Sequence, residues 1–143
     1  MIDEARKQLE GDEGRVRWAY KDSEGLWTIG IGILIDEKGG GLDDEEINWL
    51  FNHRLTKKMV ELASKIPWTN QLDEARRGAL INMSYQLGVA GLMGFPAMLR
   101  ALREGRYLDA YKEALDSKWA KQTPERAKRI ATQLLKGEWQ YGS

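Results

Sequence analysis

Tyr20-Lys21-Asp22-Ser23-Glu24-Gly25-Leu26-Trp27-Thr28-Ile29-Gly30-Ile31-Gly32-Ile33-Leu34 decides the fold class, because it is the one strongly β-prone stretch in the chain. Asp22-Ser23-Glu24-Gly25 has the small and acidic residues of a turn, and Leu26 to Leu34 is rich in β-branched side chains. A small hairpin or meander is expected here. Gly30 and Gly32 strip side chains from one face of the returning segment, a pattern that marks close approach of a backbone or a ligand. Gly39-Gly40-Gly41 ends the β region.

On both sides of this stretch the apolar spacing is helical. Ile2, Ala5 and Leu9 predict a short first helix ending near Gly11. From Leu42, with Asp43 and Asp44 as cap candidates, Ile47, Leu50, Phe51, Leu55, Met59, Leu62 and Ile66 form one stripe on a long helix that Pro67 breaks. The run from Leu72 to Leu87 is apolar on most sides and reads as a helix surrounded by others. Further helices are expected at about 95–104 and 107–119. A last one starts at Thr123-Pro124-Glu125, with a hydroxyl cap and a first-turn proline, and closes at Gly137. The expected class is α+β: a small β-containing N-terminal lobe over about 12–45, a connecting helix over 42–66, and an all-helical C-terminal lobe over 67–143 joined by residues 1–11. The 143 residues suit one compact domain, with a cleft between lobes as the natural ligand site.

Composition narrows the chemistry. Hydrophobic residues make up 42% and charged residues 31%, as in an ordinary globular protein. With no cysteine, a disulfide, a thiolate metal site and a catalytic thiol are all excluded. No run of 18 apolar residues suggests a spanning helix, and the opening residues lack the apolar core of a secretory signal, so synthesis in the cytoplasm is expected. Net charge is zero, which weighs against a dedicated nucleic-acid binder. The balance hides an asymmetry: residues 1–64 hold 9 Lys/Arg against 14 Asp/Glu, and residues 65–143 hold 13 against 8. Either the halves attract each other or the field helps place an anionic substrate.

Asp12-Glu13-Gly14, Tyr20-Lys21-Asp22 and Trp27-Thr28 carry the candidate chemistry. Glu13 falls just beyond the first helix, Asp22 at the turn and Thr28 on the returning strand, so chain geometry can bring all three to one side of a groove. Glycosidic hydrolysis needs such a set: an acid for the leaving oxygen, a second carboxylate for the water or the developing positive charge, and a hydroxyl that helps hold the water. Other candidates read more simply. His53, the single histidine, lies on the polar side of the long helix as a surface residue and cannot make a metal site alone. Gly30 and Gly32 are not a phosphate loop, since no Lys-Ser/Thr follows. Trp49, Trp119 and Trp139 fit helical packing, whereas Trp27, beside Thr28, is the better sugar-stacking candidate.

Glu13-Gly14, Tyr20-Lys21-Asp22, Glu24-Gly25 and Thr28-Ile29-Gly30-Ile31-Gly32 resemble, with unchanged spacing, the active-site region of the phage-type lysozymes of glycoside hydrolase family 24. A second block resembles the same family: Leu80-Ile81-Asn82-Met83, Gln86, Gly88, Gly94-Phe95 and Gln122-Thr123-Pro124-Glu125-Arg126-Ala127-Lys128-Arg129. The likeness covers most of the chain except about residues 36–71. It implies a lysozyme-like fold and a muramidase cleaving the β-1,4 bond between N-acetylmuramic acid and N-acetylglucosamine in peptidoglycan, with inversion. By that resemblance Glu13 is the acid and Asp22 and Thr28 position water. Arg126 pairs with Glu13 and Arg129 with Asp12, while Glu24, Leu34, Tyr85 and Gln86 line the saccharide cleft. It further implies an endolysin with no cofactor or metal, acting as a monomer on the wall polysaccharide without nucleic acid or stable membrane association, and kept in the host cytoplasm until release.

Several positions depart from the family pattern. Ile33 stands where a phage member has histidine, removing a structural ion pair but no catalytic group. Tyr85 replaces a phenylalanine, and Met98 and Glu113 replace polar substrate contacts, so subsite preference does not carry over. Two alternatives compete: a lytic transglycosylase, which Asp22 with Thr28 argues against, and an inactive peptidoglycan-binding module, which would have no reason to keep the three residues together.

Overall fold

The computed structural model describes residues 2–142. The chain divides into two compact units, 1–51 and 52–143, and the α+β class expected from the sequence is what it shows.

The first unit begins with α1 (Ile2–Glu13), which runs through Gly11 and stops two residues later than its glycine suggests. The stop is at Gly14, whose φ of 77° is left-handed and whose N–H reaches the Glu10 carbonyl at 3.0 Å. Glu13 is therefore the last helical residue rather than the first beyond the helix. The division also groups α1 with the sheet, not with the C-terminal helices. Three antiparallel strands follow in the order β1 (Val16–Lys21), β2 (Trp27–Gly30), β3 (Ile33–Leu34), so the meander reading holds. The first strand starts four residues before Tyr20. Between the pairs Val16 with Gly30 and Tyr20 with Thr28 it spends four steps where β2 spends two, so Arg17-Trp18-Ala19 bulge out of the ladder. That bulge breaks the alternation that would have announced the strand.

Gly30 and Gly32, with φ of 69° and 63°, form the turn between β2 and β3. After β3, Asp36 caps a 3-10 turn over Glu37–Gly39, and α2 (Asp44–Lys65) begins with a reciprocal cap: Asp43 Oδ1 accepts from the Glu46 N–H at 2.8 Å, and Glu46 Oε1 accepts from the Asp43 N–H at 3.0 Å.

In the second unit the described residues form helices only. These are the end of α2, a 3-10 turn at Pro67–Gln71, α3 (Glu74–Met93), α4 (Pro96–Arg103), α5 (Tyr107–Leu115), α6 (Lys118–Gln122) and α7 (Pro124–Lys136). Its core is continuous. Leu62, Leu80, Met83, Leu92, Met98, Leu102, Ile130 and Leu134 are all buried, and α4 shows why: Met98, Ala101 and Leu102 share one face. Each large aliphatic side chain buried in this way contributes about 1.5–3 kcal/mol. α3 is kinked at Gly88, where φ is 78° and ψ 159°.

Two sequence expectations change here. The helix expected over 107–119 is two helices, because Ser117 interrupts it: its Oγ accepts from the Ala120 N–H at 3.1 Å and donates to the Ala114 carbonyl at 2.7 Å. Thr123 does not cap α7 with its hydroxyl, which instead donates back to the Trp119 carbonyl at 3.1 Å. Gly137 does close α7, with φ 67°. Among the tryptophans, Trp119 is buried and meets Phe95 edge-to-face at 5.9 Å, and Trp139 lies against Gly78, but Trp49 is 64% exposed and lies outside the buried core. His53 is exposed, as expected.

Candidate active site

Three local devices in the first unit set the candidate groups. Glu13 ends α1, and its carboxylate lies on Gly32: a Cβ added there would come within 2.6 Å of Glu13 Oε2 and 2.9 Å of Cγ. Gly32 thus serves two purposes, a left-handed turn and a seat for the Glu13 side chain. The Gly30 and Gly32 pattern suggested close approach of a backbone or a ligand; what approaches Gly32 is this side chain, and Gly30 faces Ile33.

Asp22 follows β1 at the tight turn to β2. Its Oδ1 accepts from the N–H groups of Glu24 and Leu26, both at 2.9 Å, while its own N–H donates to the Leu26 carbonyl at 2.9 Å. Among the described residues both side-chain bonds fall on Oδ1, which leaves Oδ2 to take a bond from water. Thr28, only 4% exposed, sits on the central strand opposite Tyr20 and Leu34, and its hydroxyl donates to the Leu26 carbonyl at 3.1 Å. The main chain of Leu26 therefore links Asp22, through its N–H, to Thr28, through its carbonyl. Sequence reading passed over Leu26, whose contribution is entirely main-chain.

The remaining candidates of this unit have plainer surroundings. Asp12 is exposed on the last turn of α1, and Glu24 is exposed on the hairpin turn. Leu34 is half-buried against Gly39, where a Cβ would meet its Cδ2 at 2.5 Å. Trp27 is partly exposed and carries the Lys21 ammonium 5.3 Å from its ring centre. A further residue emerges in Asp36, whose Oδ1 accepts from the Lys38 N–H at 3.0 Å and whose Oδ2 accepts from the Trp27 N–H at 3.4 Å. The Lys38 bond, aided by the Trp27 bond and by the charges of Lys38 and Lys21, holds its carboxyl below the ordinary 3.8 against a smaller opposing effect of burial. An aspartate directly before a Glu-Lys-Gly turn is a cap signal that could have revealed it.

In the second unit, Arg126 grips Asn82: Nε and Nη2 donate to its Oδ1 at 3.0 and 2.8 Å, and Nη2 also approaches its carbonyl at 3.4 Å. Asn82 is thus a holder of Arg126 that was noted only as part of a matching block. The Arg129 guanidinium lies against Gly142. Tyr85 is exposed on α3, while Gln86 accepts at Oε1 from the Trp119 indole N–H at 2.9 Å, so its amide is fixed by the core. Among the described residues no group of three or more His, Asp or Glu is arranged to hold a metal.

The fold agrees with what the chain is similar to. The Phage lysozyme family matches residues 10–136. Probable T4-type lysozyme 1 of Dictyostelium discoideum is 30% identical, over 96% of this chain and 96% of its own length. Probable T4-type lysozyme 2 of the same organism is 29% identical over 91% of this chain and 92% of its own. The pre-baseplate central spike protein Gp5 of Enterobacteria phage T4 is 32% identical over 92% of this chain, which spans only 27% of that larger protein. With a family match across nearly the whole chain and a full-length relative at this identity, the protein belongs to the phage lysozyme family and is a lysozyme-type glycoside hydrolase of peptidoglycan.

Proposed function

We propose that this chain acts as a single lysozyme domain and cleaves the β-1,4 bond between N-acetylmuramic acid and N-acetylglucosamine with inversion at the anomeric carbon. Glu13 is the general acid, giving its proton to the leaving oxygen as the bond breaks. Asp22 accepts a proton from the attacking water, which the Thr28 side holds in place. The observation that carries the reading is the Leu26 link: the main chain of one residue bonds the carboxylate through its N–H and the hydroxyl through its carbonyl, as suits a water-positioning pair. In an inverting enzyme that water stands between the sugar and the base, so the two carboxyl groups are expected about 6.5–9.5 Å apart. Arg126 is a positioning residue in this scheme, and Asp12 and Arg129 are its further supporting residues. Glu24, Leu34, Tyr85 and Gln86 are the proposed saccharide contacts.

The test is turbidity clearing of permeabilised Gram-negative cells by wild type and Glu13→Gln. Loss of a general acid lowers the rate by about 10²–10⁴-fold, so equal clearing rejects the assignment. Proton NMR of fresh product from a soluble glycan reads the anomer: the α form supports inversion and the β form overturns it. Anhydro-muramyl ends in the mass spectrum would replace hydrolysis by transglycosylation.

A further inference from the structure

The second unit holds a cleft that takes in none of the residues assigned above. Its volume is about 660 Å³, and it lies among the Pro67–Gln71 turn, the start of α3 and the turn between α4 and α5. That size is within the ~300–1,000 Å³ typical of small-ligand sites. Trp68 and Tyr107 supply aromatic surface, and Gln71, Asp73, Arg103 and Glu104 supply the polar rim.

The aromatic walls are fixed in advance. Arg76 stacks on Tyr107 with its guanidinium carbon 3.5 Å from the ring centre, and the same guanidinium donates to the Leu134 and Leu135 carbonyls at 2.7 and 2.9 Å and to Asp73 at 3.0 Å. Trp68 packs against the hydrophobic core, with the exposed Arg103 guanidinium 5.9 Å from its ring. Glu104 is oriented by Arg106 at 2.8 Å. A site whose walls are set before binding loses less freedom when it is filled.

The chemistry of the lining selects the ligand. Two carboxylates, one guanidinium and one primary amide give no single-sign field, which disfavours a simple anion or cation, and the polar rim disfavours an alkyl chain. A pyranose ring fits this mixture. Its C–H faces suit indole and phenol surfaces, its hydroxyls donate to Asp73, Glu104 and the Gln71 carbonyl, and its ring and acetamido oxygens accept from Arg103 and the Gln71 amide. We infer that this is an auxiliary glycan-binding cleft for N-acetylated amino-sugar units, holding the polymer at a point other than the bond being cut. The identity of that polymer rests on the muramidase reading.

The experiment uses the full chain carrying Glu13→Gln, so that turnover is blocked, titrated with the tetramer of N-acetylglucosamine and followed by amide NMR. Saturable shifts are expected at Leu72, Asp73, Gly105 and Tyr107 and at the Trp68 indole. Adding Gln71→Ala and Arg103→Ala, both at exposed side chains and checked by a melting curve, should weaken this binding by at least about tenfold, since the loss of one hydrogen bond to a charged group alone has that effect. Absence of shifts at these positions overturns the inference, as do shifts that the double substitution leaves unchanged. The outcomes separate from those of the hydrolytic reading, which wild-type product analysis decides: saturable shifts here alongside an inert wild type would keep the cleft and discard the muramidase.

Discussion

The two units are held by different physics. The second buries a continuous core from Leu62 to Leu134, whereas among the described residues of the first only Thr28 is buried. In place of a core the first unit has main-chain devices: the Asp22 turn, the Gly30–Gly32 turn, the Asp36 cap and the reciprocal Asp43 and Glu46 cap. The groups proposed for proton transfer and water positioning stand in the unit with the least apolar packing. Hydrogen-bonded turns fix a carboxylate to within a narrow cone at modest total stability, whereas a core adds stability without setting any single polar atom.

The strongest challenge to this contrast is a pair of truncations. Leu80→Ala, at a position of zero exposure, is expected to cost about 2–5 kcal/mol in urea unfolding, while Trp18→Ala, on the bulge and 71% exposed, should stay within about 0.5 kcal/mol. Similar losses at the two positions would break the comparison. Arg76→Ala comes next. It strips two carbonyls at the end of α7 and the Asp73 carboxylate of one shared cation, and a loss of about 2–3 kcal/mol is expected by the same measurement. Arg76→Lys should recover only part of it, because an ammonium cannot span the same partners and stack on Tyr107.

Gly32→Ala sharpens the contrast from the other side. A left-handed φ of 63° and a Cβ directed into the Glu13 carboxylate should cost about 1–2 kcal/mol of stability. Clearing activity should nevertheless fall more than tenfold, since displacing a catalytic group by about 1 Å costs on the order of 10²-fold. A variant that is destabilised but fully active would show that the seat of Glu13 on Gly32 does not matter to the reaction.

What could be read from the sequence follows the same division. Signals made of one residue's own preference were legible: the Asp22–Gly25 turn, the Asp43 cap, Pro67, Gly137. Signals that depend on a partner elsewhere were not. Val16 to Ala19 did not read as strand because the bulge removes the alternation, and Trp49, expected to pack, is exposed on α2. Ser117 ended α5 by bonding both forward and back, a use its identity permits but does not announce. At the candidate site, a family pattern singled out Glu13, Asp22 and Thr28 as candidates, while the Leu26 main chain that bonds two of them was invisible, since any residue but proline at that position would offer the same N–H and carbonyl.

The smallest expected effect concerns Asp36, which ties β2 to the turn after β3. Its carboxyl is held below 3.8 by the Lys38 and Trp27 N–H groups, so the ionised form is favoured more in the folded chain than in the unfolded one. A group lowered in this way adds stability that is complete above the unfolded value of 3.8 and disappears as pH falls from there through the folded value. Asp36→Asn removes the titration while leaving an amide oxygen to accept one bond. The melting midpoint of wild type should therefore exceed that of Asp36→Asn at pH 6, and the gap should narrow as pH drops below about 4. A gap that is constant from pH 6 to pH 2.5 would mean the cap works through shape alone, and that charge contributes nothing to holding the first unit together.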